Sequence, residues 1–213
     1  MFYIKEWHRG FCTSTPKMEK AMSKIMIVVG HSQSATFCGA LGRAYEQRAR
    51  SSGHEVTTFM LSDMKFDPIL REGYRREQLL EPDLRTAYDA LAACDHLVLI
   101  FPLWCGDMPA ILKGFIERLL QPDLIARQKT ENAMNWNIFP GKTARIIMTM
   151  GMPVSIYRWW YRGHALKLLK RNILHFIGIK PVQDTLYGMI GTSKPQARER
   201  WLDEVKALGA KAS

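Results

Sequence analysis

The chain has 213 residues, of which 47% are hydrophobic and 23% are charged, and it carries a formal net charge of +10 at pH 7. This length suits one α/β domain with a buried core and is short for two domains. No apolar run approaches the roughly 20 residues of a membrane span, and no nucleic-acid motif accompanies the scattered basic residues. We therefore expect a solvated basic surface, no membrane insertion and no nucleic-acid partner.

The cysteine pattern indicates the redox compartment. Four cysteines occur, at positions 12, 38, 94 and 105, and they show neither a C-x-x-C pair nor a spacing with histidine that suits zinc. Such cysteines are typical of reduced thiols. We expect a cytoplasmic protein without a metal site.

The first 21 residues differ from the rest of the chain. They lack the apolar core of a secretory signal, and their two glutamates are unusual in a transit peptide. From Met22 onward, "MSKIMIVVG" runs directly into a predicted strand. We expect residues 1–21 to be a flexible extension and residues 22–213 to form the domain.

Five segments rich in β-branched and apolar residues predict strands, at 24–30, 54–60, 96–101, 142–150 and 182–190. Helical spacing of apolar residues lies between and after them, at 40–45, Pro82–Ala93, 111–120, 163–177 and 197–208. Asp107 and Pro109 suit the start of the third helix. Segment 121–141 has no clear periodicity and is expected to be a covering loop. The alternation of strands and helices predicts one α/β domain with a mostly parallel sheet covered on both faces.

Three unusual loops follow the first, third and fourth predicted strands: "HSQSATF" (31–37), "PLWCGDMP" (102–109) and "GMPVSIY" (151–157). Ligands of open α/β sheets bind outside the carboxyl ends of the strands. One elongated pocket built from all three loops is therefore expected.

The first loop places the hydroxyl groups of Ser32, Ser34 and Thr36 just before a helix, where free N–H groups and the helix dipole favour a phosphate. The alternative is a simple helix cap by Ser34 or Thr36. The loop has neither the glycines and lysine of a P-loop nor a G-x-G-x-x-G pattern. A phosphate-cradling cysteine loop is disfavoured, because Cys38 and Arg43 are separated by four residues instead of five and Cys38 falls in a predicted helix.

The second loop places a stiff proline next to an aromatic residue at a strand end. Pro102 would hold the backbone so that its peptide groups face a flat polar heterocycle, and Trp104 would supply an aromatic wall. A packed corner is the alternative for either residue.

Several motifs occur in a characteristic order: "HS…TF…AL" (31–41), "MKFDPIL" (64–70), "FPLWCGDMPAILKGF" (101–115), "TMGMP" (149–153) and "NILHFIGIKPVQDTLYG" (172–188). Together they resemble the NAD(P)H:quinone oxidoreductase family, the flavodoxin-like diaphorases, over residues 24–208. The resemblance implies a flavodoxin-like three-layer sandwich with a five-stranded parallel sheet in the order 2-1-3-4-5. It also implies a bound flavin, FMN or FAD, at three strand ends. FMN is favoured because no dedicated adenine-binding segment is visible.

The resemblance also implies roles for individual residues. The flavin phosphate and ribityl chain would contact His31, Ser32, Thr36 and Phe37. The isoalloxazine ring would lie along Pro102, Leu103, Trp104 and Cys105, with Thr149, Met150 and Gly151 near its pyrimidine side. Tyr157 and His164 are the nearest matches to a tyrosine and a histidine that offset charge on the reduced flavin.

The sequence departs from the family pattern at three places. "WCG" (104–106) replaces the usual glutamine-tryptophan-phenylalanine, "GM" replaces a glycine pair after the fourth strand, and the spacing from Tyr157 to His164 is one residue longer. These departures put acceptor specificity in question, and His164 is alternatively a surface histidine before a helix.

The run "RWWYR" (158–162) predicts an interface. Two adjacent tryptophans cannot both point into one core, so at least one should meet a ligand or another subunit. The family forms homodimers with the active site at the interface, which gives these residues a role. The nearby arginines are candidates for contacting a phosphate of the nicotinamide nucleotide.

The resulting hypothesis is a flavin-dependent oxidoreductase that passes hydride from NAD(P)H to a quinone or similar acceptor. Two alternatives stay open, a flavin-binding regulatory subunit of a potassium-efflux system and a flavodoxin-type electron carrier. Since the fold is shared by all three, only turnover distinguishes them.

Overall fold

A five-stranded parallel β-sheet forms the middle layer of the computed structural model, which describes residues 22–121 and 137–212. The strands are β1 (Lys24–Val29), β2 (Glu55–Met60), β3 (His96–Pro102), β4 (Thr143–Thr149) and β5 (Val182–Tyr187). They lie in the order β2-β1-β3-β4-β5, and every neighbouring pair is parallel. The predicted strand order is confirmed. The largest error in a strand end is at β5, which was predicted to reach residue 190 and ends at Tyr187.

Helices cover both faces of the sheet, as a three-layer sandwich requires. They are α1 (Phe37–Ser51), α2 (Pro82–Ala93), α3 (Ala110–Leu119), α4 (Val154–Trp159), α5 (His164–Lys167), which continues as a π-helical segment (Leu168–Leu174), and α6 (Pro195–Lys211), with a short 3₁₀ turn at Ile190–Thr192. α1 and α6 share one hydrophobic cluster, and α2, α3 and the π-helical segment share the other.

Alternate residues of the central strands supply these two clusters. In β1, Met26 and Val28 belong to one cluster, whereas Ile25 and Ile27 belong to the other. All seven residues of β3 are buried. Continuous apolar runs of this kind form the middle strands of parallel sheets, since both faces are covered.

One predicted helix has a different form in the structure. The pattern over 163–177 predicts a single α-helix, but only the four residues of α5 are α-helical, and a seven-residue π-helical segment follows. In a π-helix each N–H bonds the carbonyl five residues earlier, and here the N–H of His175 donates to the carbonyl of Lys170 at 2.9 Å. Asp107 is also displaced from its predicted place, because α3 begins at Ala110 after Pro109.

The "MKFDPIL" motif packs against α3. Arg118 is completely buried, donates hydrogen bonds to the carbonyls of Asp67 and Leu79, and forms an ion pair with Glu81 at 2.8 Å. Pro68 lies against Gly114, where a Cβ would come within 2.3 Å of the Pro68 carbonyl oxygen. Segment 61–81, which contains neither helix nor strand, is therefore fixed by α3.

Two predictions lie outside the described residues: the flexible extension at 1–21, and most of the covering loop, residues 122–136. Within the described ranges, no helix is both long enough and apolar enough to cross a membrane. The same ranges contain no group of three or more His, Cys, Asp or Glu side chains placed to hold a metal ion.

His96, at the start of β3, is a buried titratable group. Its Nδ1 lies 2.7 Å from Thr143 Oγ1, and its Nε2 has no hydrogen-bond partner among the described residues. Burial, together with the positive charges of Arg145 and His54, lowers the pKa of His96 from 6.5 to about 4. The folded protein therefore keeps this ring neutral at pH values where the unfolded chain protonates it.

We expect the free energy of unfolding to fall as the pH is lowered from 7 to 5. The unfolded chain takes up a proton on His96 near pH 6.5 and the folded protein does not until about pH 4. The loss from this residue should be about 2 kcal/mol at pH 5. Denaturant unfolding at pH 5, 6 and 7 measures it. His96→Asn, which can still bond Thr143 but does not titrate, should show a shallower decline, and identical declines in both proteins would contradict this assignment.

Candidate functional site

The loops after β1, β3 and β4 meet at the carboxyl edge of the sheet. The N–H of Leu103 donates to the Thr149 carbonyl at 2.7 Å, and Cys38 Sγ lies 3.3 Å from Thr149 Oγ1. The rings of His31 and Trp104 are in edge contact, with their centroids 4.9 Å apart. Residues from all three loops are thus joined by direct contacts.

The loop after β1 ends in the N-cap of α1. Thr36 has an extended backbone, and its Oγ1 accepts a 3.2 Å hydrogen bond from the N–H of Gly39, so the helix-cap interpretation holds for Thr36. The Ser32 and Ser34 side chains are exposed. The N–H groups of Ser34 and Phe37 take part in no hydrogen bond within the part of the chain that the structure describes. These groups and the positive end of α1 form a place that suits an anion.

Gly39 determines how closely this loop folds over α1, and the sequence analysis missed it. A Cβ at position 39 would lie 2.3 Å from the Ser34 carbonyl oxygen. Any side chain there would push the loop away from the helix. The only signal in the sequence is a glycine in the first turn of a predicted helix, where glycine is unfavourable without such a reason.

Cys38 is a structural thiol. It is buried beneath the loop, and burial raises the pKa of its thiol to about 11 although the hydrogen bond to Thr149 opposes the shift. A neutral thiol is not a nucleophile near neutral pH. The cysteine-loop interpretation of Cys38 and Arg43 is therefore excluded.

The corner after β3 is a tight turn. Trp104 and Asp107 exchange two backbone hydrogen bonds of 2.8 Å, and the residues between them, Cys105 and Gly106, have φ values of 49° and 82°. Two positive φ values in succession are the pattern of a type I′ turn. The turn leaves Trp104 42% exposed and turns the backbone of Cys105 and Gly106 toward solvent.

The loop after β4 begins with two buried residues. Thr149 and Met150 are buried, and the N–H of Met150 donates to the Tyr187 carbonyl at 2.8 Å. Of the three residues expected beside the flavin here, Gly151 is exposed. Thr149 also joins the loops, through the contacts to Leu103 and Cys38.

Tyr157 and His164 line one pocket with a volume of about 290 Å³. Tyr157 is buried, and its hydroxyl oxygen accepts a 3.1 Å hydrogen bond from the N–H of Leu166. Arg162 and Gly163, the two residues before His164, both have positive φ. The other residues that line this pocket are Leu103, Cys105, Gly106, Met152 and Tyr161, of which the sequence analysis did not single out Met152 or Tyr161.

The tyrosine stays protonated in this setting. Burial raises the pKa of the Tyr157 phenol, while the hydrogen bond from Leu166 opposes the shift. The bond to Leu166 uses the phenolic oxygen as acceptor, so the O–H hydrogen is available as a donor.

Ion pairs and exposed rings characterise α4. Arg158 pairs with Asp184 at 2.8 Å, and Lys170 pairs with the other oxygen of the same carboxylate. Trp159 and Trp160 are 85% and 81% exposed, so neither packs into the core. The expectation that at least one of them meets a ligand or another subunit stays a prediction.

Comparison with known proteins identifies the family. A family model described as a flavodoxin-like fold matches residues 23–208, and the chain belongs to this family. An uncharacterized NAD(P)H oxidoreductase of Haemophilus influenzae is 27% identical over 183 residues, which cover 84% of this chain and 90% of that protein. NAD(P)H dehydrogenase [quinone] 1 of Cavia porcellus is also 27% identical, over 84% of this chain and 73% of the relative. The structure of an NAD(P)H:quinone oxidoreductase from Methanothermobacter marburgensis is similar in fold, with a TM-score of 0.75 and 21% identity over 89% of this chain and 96% of that one.

Proposed function

We propose that the protein is a flavin-dependent oxidoreductase that uses NAD(P)H as reductant and a quinone or similar small molecule as acceptor. The observation that carries the proposal is the pocket in which Tyr157 and His164 face the exposed turn at Cys105 and Gly106. The ring contact between His31 and Trp104 connects this turn to the loop after β1. The names of the two curated relatives, an NAD(P)H oxidoreductase and an NAD(P)H dehydrogenase [quinone], support the same chemistry.

The described residues fit a flavin phosphate and ring. The Ser32 hydroxyl, the cap residue Thr36 and the open N–H of Phe37 would hold the phosphate and ribityl chain, with His31 beside them. The ring would lie against the half-buried Leu103 and the exposed Trp104 and Cys105, with Pro102 buried at the end of β3 behind them and Gly151 as the accessible residue of the β4 loop. Thr149 and Met150 are buried below this surface and would hold the loop backbone in position. Bound flavin would accept hydride from the reduced nicotinamide and pass it to the acceptor. We favour FMN over FAD.

Tyr157 is suited to donate a hydrogen bond into this site. Its phenol is protonated at neutral pH, its O–H hydrogen is not used by the bond from Leu166, and its ring is held in the core. A fixed donor stabilises negative charge better than mobile water does, because no reorganisation is needed when the charge appears. His164, exposed at the start of α5, would supply a second donor through a ring N–H.

We also propose that the exposed face of α4 is covered by a second copy of the chain. Trp159, Trp160 and Tyr161 adjoin Ile156, and all four side chains are at least 46% exposed. A contiguous apolar patch of this kind usually marks an interaction site. Tyr161 also lines the pocket, so a subunit seated on this face would wall the site.

Purified protein should contain flavin and oxidise NADPH with a quinone. A substitution at Thr36 should lower flavin affinity without changing the stability of the fold. Thr36→Asp keeps an N-cap oxygen but sets a carboxylate against the phosphate, so flavin affinity should fall by about tenfold or more while the melting temperature is unchanged. Thr36→Ser is the control and should retain both. Absorbance spectra, chromatography of released flavin and quinone-dependent turnover are the measurements. Protein without flavin would refute the proposal, and bound flavin without turnover would favour a regulatory subunit or an electron carrier.

Tyr157→Phe should leave flavin bound but slow its reduction by NADPH, because one aligned donor is lost. Such donors contribute up to about 100-fold in rate. The variant also strands the N–H of Leu166, so a loss of about 1 kcal/mol in stability is expected. Stopped-flow absorbance gives the rate and denaturant unfolding gives the stability. A wild-type rate with reduced stability would make the tyrosine purely structural.

Replacing Trp159 and Trp160 together with serine should shift the protein from dimer to monomer and lower its turnover. The reason is that the interface would lose its two largest apolar side chains while the core is untouched. Sedimentation velocity at micromolar concentration is the measurement, with a Trp201→Phe variant on α6 as the control. A wild-type protein that sediments as a monomer would overturn this arrangement.

A further inference from the structure

A second depression adjoins the pocket of Tyr157 and His164. Its volume is about 420 Å³, which lies in the range of small-molecule sites. The two depressions share Cys105, Gly106 and His164 in their walls, so a ligand that occupies one of them reaches the other directly. The far wall of the second depression is formed by α5 and the π-helical segment, through Lys167, Arg171 and Asn172.

The charge of this depression comes from one helical stripe. His164, Lys167 and Arg171 follow one another at spacings of three and four residues, and all three side chains are exposed. Asp107 is the acidic residue in the wall, and its Oδ1 accepts a 2.7 Å hydrogen bond from the N–H of Met108. Two permanent cations therefore face one carboxylate that is already hydrogen-bonded.

Lys167 and Arg171 differ from Lys170 and Arg158 in their ion pairing. Within the described ranges neither of them forms an ion pair. Lys170 and Arg158, by contrast, are both held by Asp184. The arginines of "RWWYR" were the phosphate candidates in the sequence. Arg158 of this run is paired with Asp184, whereas Lys167 and Arg171 line the second depression.

We propose that Lys167 and Arg171, with Asn172 beside them, bind the phosphates of the reduced nicotinamide dinucleotide while its nicotinamide ring occupies the adjoining pocket. This inference rests on the proposed function. An arginine fork and a lysine ammonium are the usual phosphate partners, and Asn172 adds amide donors. The flavin phosphate is not the occupant, because its loop, 31–37, contributes no residue to this depression.

A phosphate-free reductant separates this role from every other effect on catalysis. Dihydronicotinamide riboside carries the same hydride donor as NADH and NADPH but no phosphate. If Lys167 and Arg171 act only on phosphates, their charges should matter for the two dinucleotides and not for the riboside. The apparent KM for the dinucleotides should also rise with ionic strength, since charge pairs near a surface are screened by salt.

The experiment compares wild type, Lys167→Gln/Arg171→Gln and a control, Lys180→Gln/Arg200→Gln, which removes the same charge from exposed positions outside the depression. In the first variant the KM for NADPH and NADH should rise about tenfold or more, as expected for losing a charge-assisted hydrogen bond. The KM for the riboside and the flavin content should stay within twofold of wild type. Calorimetry with NADP⁺ should show the same loss of affinity, and the control should match wild type throughout.

A rise of less than fivefold for the dinucleotides, or an equal rise for the riboside, overturns the proposal. So does a calorimetric titration in which NADP⁺ binds the variant as tightly as it binds wild type. Wild-type protein that binds flavin and oxidises none of the three reductants would instead contradict the proposed function. In that case the NADP⁺ titration alone decides whether the basic depression is a phosphate site.

Discussion

Thr149, at the last position of β4, is the point on which the geometry of the site depends. Its carbonyl accepts the N–H of Leu103, and its hydroxyl contacts the thiol of Cys38 under the first loop. The next residue, Met150, is bonded to the end of β5 through the carbonyl of Tyr187. One buried position thus sets the separation of the loops that would bind phosphate and ring. The resemblance to known oxidoreductases suggests a ligand contact for Thr149, and the structure adds that its side chain joins the loops.

The contacts of Thr149 can position the site because of the order of the strands in the sheet. β1 and β3 are neighbours, while the chain leaves them toward opposite faces of the sheet, to α1 and to α3. A crevice between the first turns of two such helices is where ligands bind in open α/β sheets. The contact between His31 and Trp104 spans that crevice, and the turn at Cys105 and Gly106 forms its rim.

The strands could be predicted, because continuous apolar runs are stable only where both faces of a strand are buried. Their order could be predicted because the motifs resemble a family of known topology. The π-helical segment could not, since Leu166, Leu169 and Ile173 follow one another at α-helical spacing, and only the burial of Leu174, five residues after Leu169, marks the wider turn. Gly39 and Arg118 were missed for another reason. Arg118 depends on the carbonyl of Asp67, 51 residues away, which no local pattern reports, and for Gly39 the sequence shows an unfavourable glycine but not its contact with the carbonyl of Ser34.

Asp184 pairs with two cations of the basic surface, Arg158 and Lys170, which are then not available to a ligand. Although burial alone would raise its pKa, hydrogen bonds from Lys170 and Arg158 lower the pKa of this carboxyl, so it is ionised at neutral pH. Both of its oxygens are occupied by those two side chains. The pairing anchors α4 and the π-helical segment to β5. Lys167 and Arg171, in the same helical region, have no carboxylate partner among the described residues. The net charge of +10 therefore says little about the site, because some of the basic side chains near it are already paired with Asp184.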